Sequence, residues 1–522
     1  MRRAGARLIA CLVVLVTLSA CARDALKPAV VVSPGPSSTE RLAVADRLVR
    51  VGCLDCLLEA YREYQALRSV ASAGQAATLG AIRAAGLIAL RQRELGMADE
   101  GYLAAAKALS SSTPDLPAWM AGTLDIVDAL GGSIAGVSRP PSSDADLESM
   151  RVRRTNRQAY TTLLRDFSEV DELSAYTWAA FMCGAVETRD VTAGEIFAAV
   201  STFRDTPLIA FKQATCRGVE SEPLRALTAA EPRFAETAYL LGLVEVGRQK
   251  LDEADAQFAR AYAWRPRWPA LTQSMANVAM TAEEFAKALR LYDETLDADP
   301  RAADALLGKI RALTYLGKAV EAIASVDQLL GERWYLGDAR YWRALNENQL
   351  ERYEDAWSDV GLADKLLINA EVPKLAGIIA YRRHDLDVSR TKFDLSRQRN
   401  RDDCETGFYL GLVLAEQRSW ATASDVFLET CACIERAEHD YTEQIAAIRS
   451  SSEPEDRKAR KIATREQLIA NGRRQMATSW FNLAVASYNL VRTTDARQYA
   501  EKVANDEQFG ERAREILARL GK

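Results

Sequence analysis

Residues 235–268, AETAYLLGLVEVGRQKLDEADAQFARAYAWRPRW, carry a spacing that returns every 34 residues. Ala254 steps to Ala288, Ala322 and Ala356, and Phe258 steps to Tyr292, Val326 and Val360. Pro266 steps to Pro300, and Gly317 falls in the turn of the third unit. A fifth unit, shifted by one residue, carries Gly377 and Phe393. A sixth has Leu410, Gly411, Ala423 and Phe427, and a seventh has Trp480, Leu483, Ala484 and Ala496. A period of this size signals stacked supersecondary units, each unable to bury its apolar face alone. One alanine match means little in so alanine-rich a chain. The joint phase of alanine, aromatic and proline over about 200 residues is what constrains the fold.

Within a unit the spacing has a mechanical reading. Small residues at Gly242 and Ala254 let two antiparallel helices approach, Phe258 fills the space between them, and Pro266 stops the second helix. These residues resemble the tetratricopeptide repeat, a 34-residue helix–turn–helix. The resemblance implies an all-α fold, a right-handed α-α superhelix of antiparallel helix pairs. The chain departs from the pattern where later units lack the terminal proline and where Ile310 replaces a small residue.

The chain is expected to divide into six segments. Residues 1–20 are a signal peptide and 21–40 a flexible tether rich in Pro, Ser and Gly. Residues 41–234 hold divergent helical repeats, with a GCLDC turn at 52–56 and Gly96 at another turn; a separate helical domain is the alternative. Residues 235–437 form the clear array. Residues 438–475 are a charged helical insertion, two helices joined at Pro454, read as a solvated face. Residues 476–522 hold the last repeat and a polar-faced capping helix at 510–520.

The amino terminus addresses location. Arg2, Arg3 and Arg7 precede the apolar run from Leu8 to Ala20, which is shorter than the ~20 residues a spanning helix needs. The tetrapeptide Leu18-Ser19-Ala20-Cys21 resembles the lipobox of bacterial lipoprotein precursors. That resemblance implies cleavage before Cys21, acylation of Cys21, and anchoring to the bilayer through it. Ala22, rather than Asp, implies the outer membrane, with the body facing the periplasm.

Composition excludes several functions. The chain has 67 basic and 72 acidic residues, a net charge of −5. Loss of the three leader arginines makes it more acidic still, which argues against nucleic-acid binding. Only two histidines are present, His384 and His439, so no metal set and no nucleophile–base constellation is expected. No cofactor and no catalytic residue is assigned. An oxidising compartment permits disulfides. Candidates are Cys53 with Cys56, Cys183 with Cys216, and Cys404 with either Cys431 or Cys433.

For binding, the repeat resemblance implies a concave face lined by the first helix of each unit. The positions it carries over are Tyr239, Gln273, Asn277, Arg311, Tyr341, Asn348, Lys374, Phe408 and Phe481. Spaced aromatics with amides between them suit an extended or helical peptide. The same rings serve equally well as packing between repeats. Tyr239 and Leu243 stand where the carboxylate clamp of chaperone-binding members wants Lys and Asn, so that subclass is excluded. The expected function is a membrane-anchored, protein-binding scaffold or assembly factor of the bacterial envelope. The alternative is a small-solute-binding lipoprotein serving a transporter, which requires a closed pocket with convergent polar groups.

Overall fold

The computed structural model describes residues 36–114, 116–130, 165–184, 192–216, 218–331 and 336–521. The leader, the lipobox and Cys21 lie outside these residues, as does most of the tether. Among the described residues all regular structure is helical. The chain is an all-α helical-repeat superhelix.

Helix α1 (Ser38–Val51) begins inside the stretch expected to be tether. The reason is a capping box: Ser37 accepts from the Glu40 N–H while the Glu40 carboxylate accepts from the Ser37 N–H. Next come α2 (Leu54–Leu67), α3 (Gly74–Glu94), α4 (Tyr102–Ser112) and α5 (Ala118–Ala129). After them follow α6 (Glu172–Gly184), α7 (Ala193–Ala198), α8 (Pro207–Ala214) and α9 (Ser221–Ala230). Helix α3 is buried around most of its circumference, against α2, α4 and α6. One apolar cluster runs unbroken from Ala45 to Ala305, so the amino-terminal helices and the first repeats share a core.

That junction also holds buried charge. Arg91 and Glu94 on α3, Lys212 on α8 and Glu236 at the start of the array are almost fully buried. Lys212 Nζ lies 2.5 Å from Glu94 Oε1, and Arg91 Nη2 lies 3.0 Å from Glu236 Oε1. The Tyr176 hydroxyl donates to Glu94, and Glu236 also accepts from the Leu54 N–H, completing the first turn of α2. Burial alone would raise the Glu94 pKa; the charges of Lys212 and Arg91 outweigh it and hold the carboxyl below the usual range. Removing one member would strand another charge in the core, so the cluster fixes how the two halves meet.

Among the described residues the array comprises seven helix pairs. They are α10 (Ala235–Gly247) with α11 (Leu251–Trp264), α12 (Pro269–Thr281) with α13 (Phe285–Ala298), and α14 (Ala303–Tyr315) with α15 (Ala319–Leu329). Then come α16 (Leu336–Gln349) with α17 (Tyr353–Leu366), α18 (Glu371–Arg382) with α19 (Leu386–Arg399), and α20 (Cys404–Glu416) with α21 (Trp420–Ser450). The last pair is α22 (Glu455–Asn489) with α23 (Thr493–Lys502), and α24 (Gly510–Leu520) packs on its end.

Each pair turns in the same way. Gln249, Glu283, Gly317, Glu351, His384, Arg418 and Val491 all have φ near +60° to +70°. In every turn the next N–H reaches back to a carbonyl five residues earlier, as Lys250 does to Glu245 and Arg492 to Ser487, both at 2.9 Å. This is the Schellman closure of a helix, which satisfies otherwise orphaned carbonyls. Gly96 and Met97 close α3 identically, with Met97 N bonding Gln92 O at 2.8 Å.

Packing inside a pair follows reciprocal size. Phe258, Phe393 and Phe427 are fully buried, each with its ring over the glycine sixteen residues earlier. The Ile310 departure obeys the same rule: the residue sixteen later is the smaller Val326, and both are fully buried in one cluster. Volume, rather than residue identity, is what the interface conserves from repeat to repeat.

The charged insertion has no boundary of its own. Helix α21 runs straight through residue 438 and α22 straight through 475, forming one long antiparallel hairpin with Pro454 at its tip. It is also not merely a solvated face: Arg457, near the tip, is 5% exposed.

Among the described residues three disulfides are present: Cys53–Cys56, Cys183–Cys216 and Cys404–Cys433. Cys431 is left as a buried free thiol, its pKa pushed up to about 11 by burial. The Cys404–Cys433 bridge pins α21 where it leaves the body of the array.

Candidate functional site

Four aromatic rings pack in series across repeats two to four, Phe285 and Tyr315 at helix ends beside the turns and Tyr341 and Trp342 midway along α16. Phe285, at the start of α13, stacks on Tyr315 at the end of α14, with ring centroids 4.8 Å apart. Tyr315 meets Trp342 of α16 at 6.4 Å, and Trp342 meets Tyr341 edge-on at 5.4 Å. Arg311 lies over the Trp342 ring at 6.0 Å. Tyr315 is 55% exposed, and Leu316 and Val320 beside it are exposed as well.

A second aromatic group lies further along the array. Phe408 contacts Tyr409 at 5.5 Å, and Tyr409 contacts Tyr381 at 6.1 Å. Phe408 lines a recess of about 270 Å³ whose other wall is α22, through Asn471, Arg474, Gln475 and Thr478. The long hairpin therefore builds one side of this recess.

The residues carried over from the repeat pattern fall into three groups. Arg311, Tyr341 and Phe408 belong to these aromatic groups. Asn277 is exposed and accepts from the Tyr292 hydroxyl at 2.6 Å, while Gln273 is half-buried nearby on α12. Asn348 and Lys374 are half-buried; Lys374 is occupied by Glu371 at 2.8 Å and Asp403 at 3.1 Å.

Tyr239 and Phe481 correct the expectation. Tyr239 is 3% exposed, with its ring 4.4 Å from Trp268, and Phe481 is 5% exposed, stacked on Phe509 at 4.9 Å. Both lie at ends of the array, where the neighbouring element closes over them: Trp268 opens the next repeat, and Phe509 leads into the cap. Among the candidate disulfide cysteines, Cys431 is unbridged.

Sequence reasoning missed Phe285, Tyr315 and Trp342. Tyr315 sits near the turn and Trp342 one residue beyond an expected position. The available signal was the density of aromatics at 341–342 and the unshielded Tyr315-Leu316 pair at a helix end.

A separate cavity of about 330 Å³ lies among α1, α3 and α5. Its walls include Leu42, Leu79, Trp119 and Met120, with Arg83 and Asp171 among its polar groups. Arg83 is held by Asp46 at 2.6 Å and Glu172 at 2.9 Å. Burial raises the Asp171 pKa against the opposing bond from Ser174 N–H and the charge of Arg83.

Among the described residues no group of His, Cys, Asp and Glu has a metal-binding arrangement, and no helix is long and apolar enough to cross a membrane.

Comparison with known protein families gave no matching family model, and comparison with curated proteins gave no match. Among the solved structures similar to this chain are proteins described as tetratricopeptide repeat proteins. YrrB, described as a TPR protein with an unusual peptide-binding site, is 13% identical over 36% of this chain and 96% of its own, with a TM-score of 0.32. A tetratricopeptide repeat protein from Parabacteroides merdae ATCC 43184 is 16% identical over 55% of this chain and 99% of its own, TM-score 0.34. MamA from Desulfovibrio magneticus RS-1 is 15% identical over 32% of this chain and 96% of its own, TM-score 0.31.

Proposed function

We propose that this chain is a lipid-anchored scaffold of the bacterial envelope that binds a protein partner along its aromatic row. The observation that carries the reading is Tyr315, which is 55% exposed, has the Phe285 ring 4.8 Å and the Trp342 ring 6.4 Å away, and is flanked by other exposed apolar side chains. Rigid aromatics lose little entropy on binding and anchor interfaces when a partner covers them. Arg311 supplies a cation at the same place. The anchor rests on the leader and the Leu18–Cys21 tetrapeptide. Acylated Cys21 would hold the array at the outer membrane, facing the periplasm. The binding role requires no catalytic group.

The test is gentle solubilisation of membranes and identification of what co-purifies. Wild type is expected to bring down one defined protein from the membrane fraction. Cys21→Ser should move the chain to the soluble fraction, and a Tyr315→Ala/Trp342→Ala double variant should keep the anchor but lose the partner. Retention of the partner by the double variant would move the binding surface elsewhere.

The cavity beside Arg83 and Asp171 favours a second reading, binding of a small solute. Apolar walls with a buried carboxylate suit a small amine or zwitterion. A defined metabolite carried through purification, and lost in Asp171→Asn, would establish it.

A further inference from the structure

The α21–α22 hairpin leaves the array at repeats six and seven, yet its far end rests on repeats one and two. Arg457 Nε donates to Glu284 Oε1 at 3.1 Å, and Arg460 Nη2 donates to the same oxygen at 2.9 Å. Arg457 also bonds Asp252, and Arg465 bonds Glu283. These partners are 173 to 205 residues apart in sequence. All the acidic members sit at the helix–helix turns of the first two repeats, and all the basic ones on the first three turns of α22.

We propose that this hairpin is a releasable clasp, which closes the curved array on itself by ion pairing. Three observations separate a clasp from a fixed brace. First, the recorded contacts at the docking point are charge pairs; among the described residues no apolar cluster joins the hairpin to repeats one and two. Such contacts lose strength with salt where they are open to solvent, as at Arg460, and less so at the buried Arg457, whereas an apolar seam does not weaken at all. Second, the acidic side is already partly neutralised without the hairpin. Lys287 reaches Asp255 at 3.0 Å and Glu284 at 3.4 Å, so release does not leave Glu284 unpaired. Third, the hairpin keeps its own bonds when undocked. Lys461 pairs with Glu453 at 2.7 Å, Arg473 with Glu438, and Cys404–Cys433 fixes its base.

The docking point adjoins the aromatic row, because Glu284 is followed directly by Phe285. In the closed state the hairpin bounds that end of the row, and release leaves it open to a larger partner. This consequence rests on the proposed partner surface; the clasp itself does not.

The experiment uses the full chain and an amine-reactive cross-linker between Lys287 and either Lys458 or Lys461. At low salt the link is expected to form in wild type. In about 0.5 M NaCl its yield should fall about threefold, because the screening length shrinks to a few ångström while the buried Arg457 pair is screened less than those of Arg460 and Arg465. Arg457→Glu should lose the link at low salt with unchanged helix content, because it sets a carboxylate against Asp252 and Glu284, and Arg457→Lys should retain it. A link that persists in high salt, or in the charge-reversed variant, would overturn the clasp and leave a rigid brace. Because no partner enters this measurement, its failure leaves the proposed binding function untouched, and failure to find a partner leaves the clasp untouched.

Discussion

A Cβ placed on Gly411 would lie 2.5 Å from Cε1 of Phe427, on the other helix of the same pair. No real side chain tolerates that approach, so the glycine and the ring are one feature shared between two helices. The same relation holds at Gly377 and Phe393, where the distance is 2.6 Å.

Gly411→Ala is therefore expected to destabilise the array by about 1–3 kcal/mol through overpacking. Adding Phe427→Leu should recover part of the loss, giving a coupling energy of about 1 kcal/mol in a urea-denaturation cycle. Strictly additive effects would show that the two helices adjust independently.

Val491 holds φ +61° at the last turn while 81% exposed. A β-branched residue in the left-handed region costs roughly 1–2 kcal/mol, and almost no burial is lost on replacement. Val491→Gly should raise stability by about 0.5–1 kcal/mol after the added chain entropy of glycine is counted. Thermal unfolding of the variant checks this; a lower Tm would mean the Val491 side chain has a covering partner.

Glu347 is buried, with one carboxylate oxygen lacking a hydrogen-bond partner. Burial, then the nearby charge of Asp359, pushes its pKa up to about 7. The unfolded chain loses this proton near 4.5 and the folded chain keeps it, so stability declines as pH rises from about 4.5 to 7. Glu347→Gln should be more stable than wild type above pH 7, on the order of 1 kcal/mol after solvent screening, and equal to it below about 4.5. Parallel denaturation curves at pH 4.5 and 8 test the sign.

Arg91→Met should cost about 3–5 kcal/mol, since it leaves Glu236 buried with only the Leu54 N–H and removes a charge from Glu94. Amide hydrogen exchange should then rise first where α3, α8 and α10 meet. Exchange confined to the far repeats would show that the cluster does not join the halves.

In the native chain the Cys431 thiol should resist alkylation, since burial raises its pKa to about 11 and closes access. Peptide mapping should find it labelled only after unfolding, with Cys404 and Cys433 remaining protected until reduced. Rapid labelling of native protein would place Cys431 at the surface.

How far the sequence carried the fold follows from separation along the chain. The Gly411–Phe427 match, the turn register from Gln249 to Val491, and the all-helical reading are each fixed within a single unit of about 34 residues. Spacing and side-chain volume decide such features, and both can be read in the linear sequence. Other features need a helix's neighbours. Cys431 and Cys433 stand side by side midway along α21, where it leaves the body of the array, and helical phase lets only Cys433 meet Cys404. Tyr239 and Tyr315 are both aromatics on first helices, and only the element lying over each determines that one is buried and the other exposed. The contact of Arg457 with Glu284 depends on curvature accumulated over the whole array. Small rotations at each repeat interface bring together turns that no local pattern connects. The sequence alone determined the unit and its stacking; the tertiary structure decided where the stack bends back to meet itself.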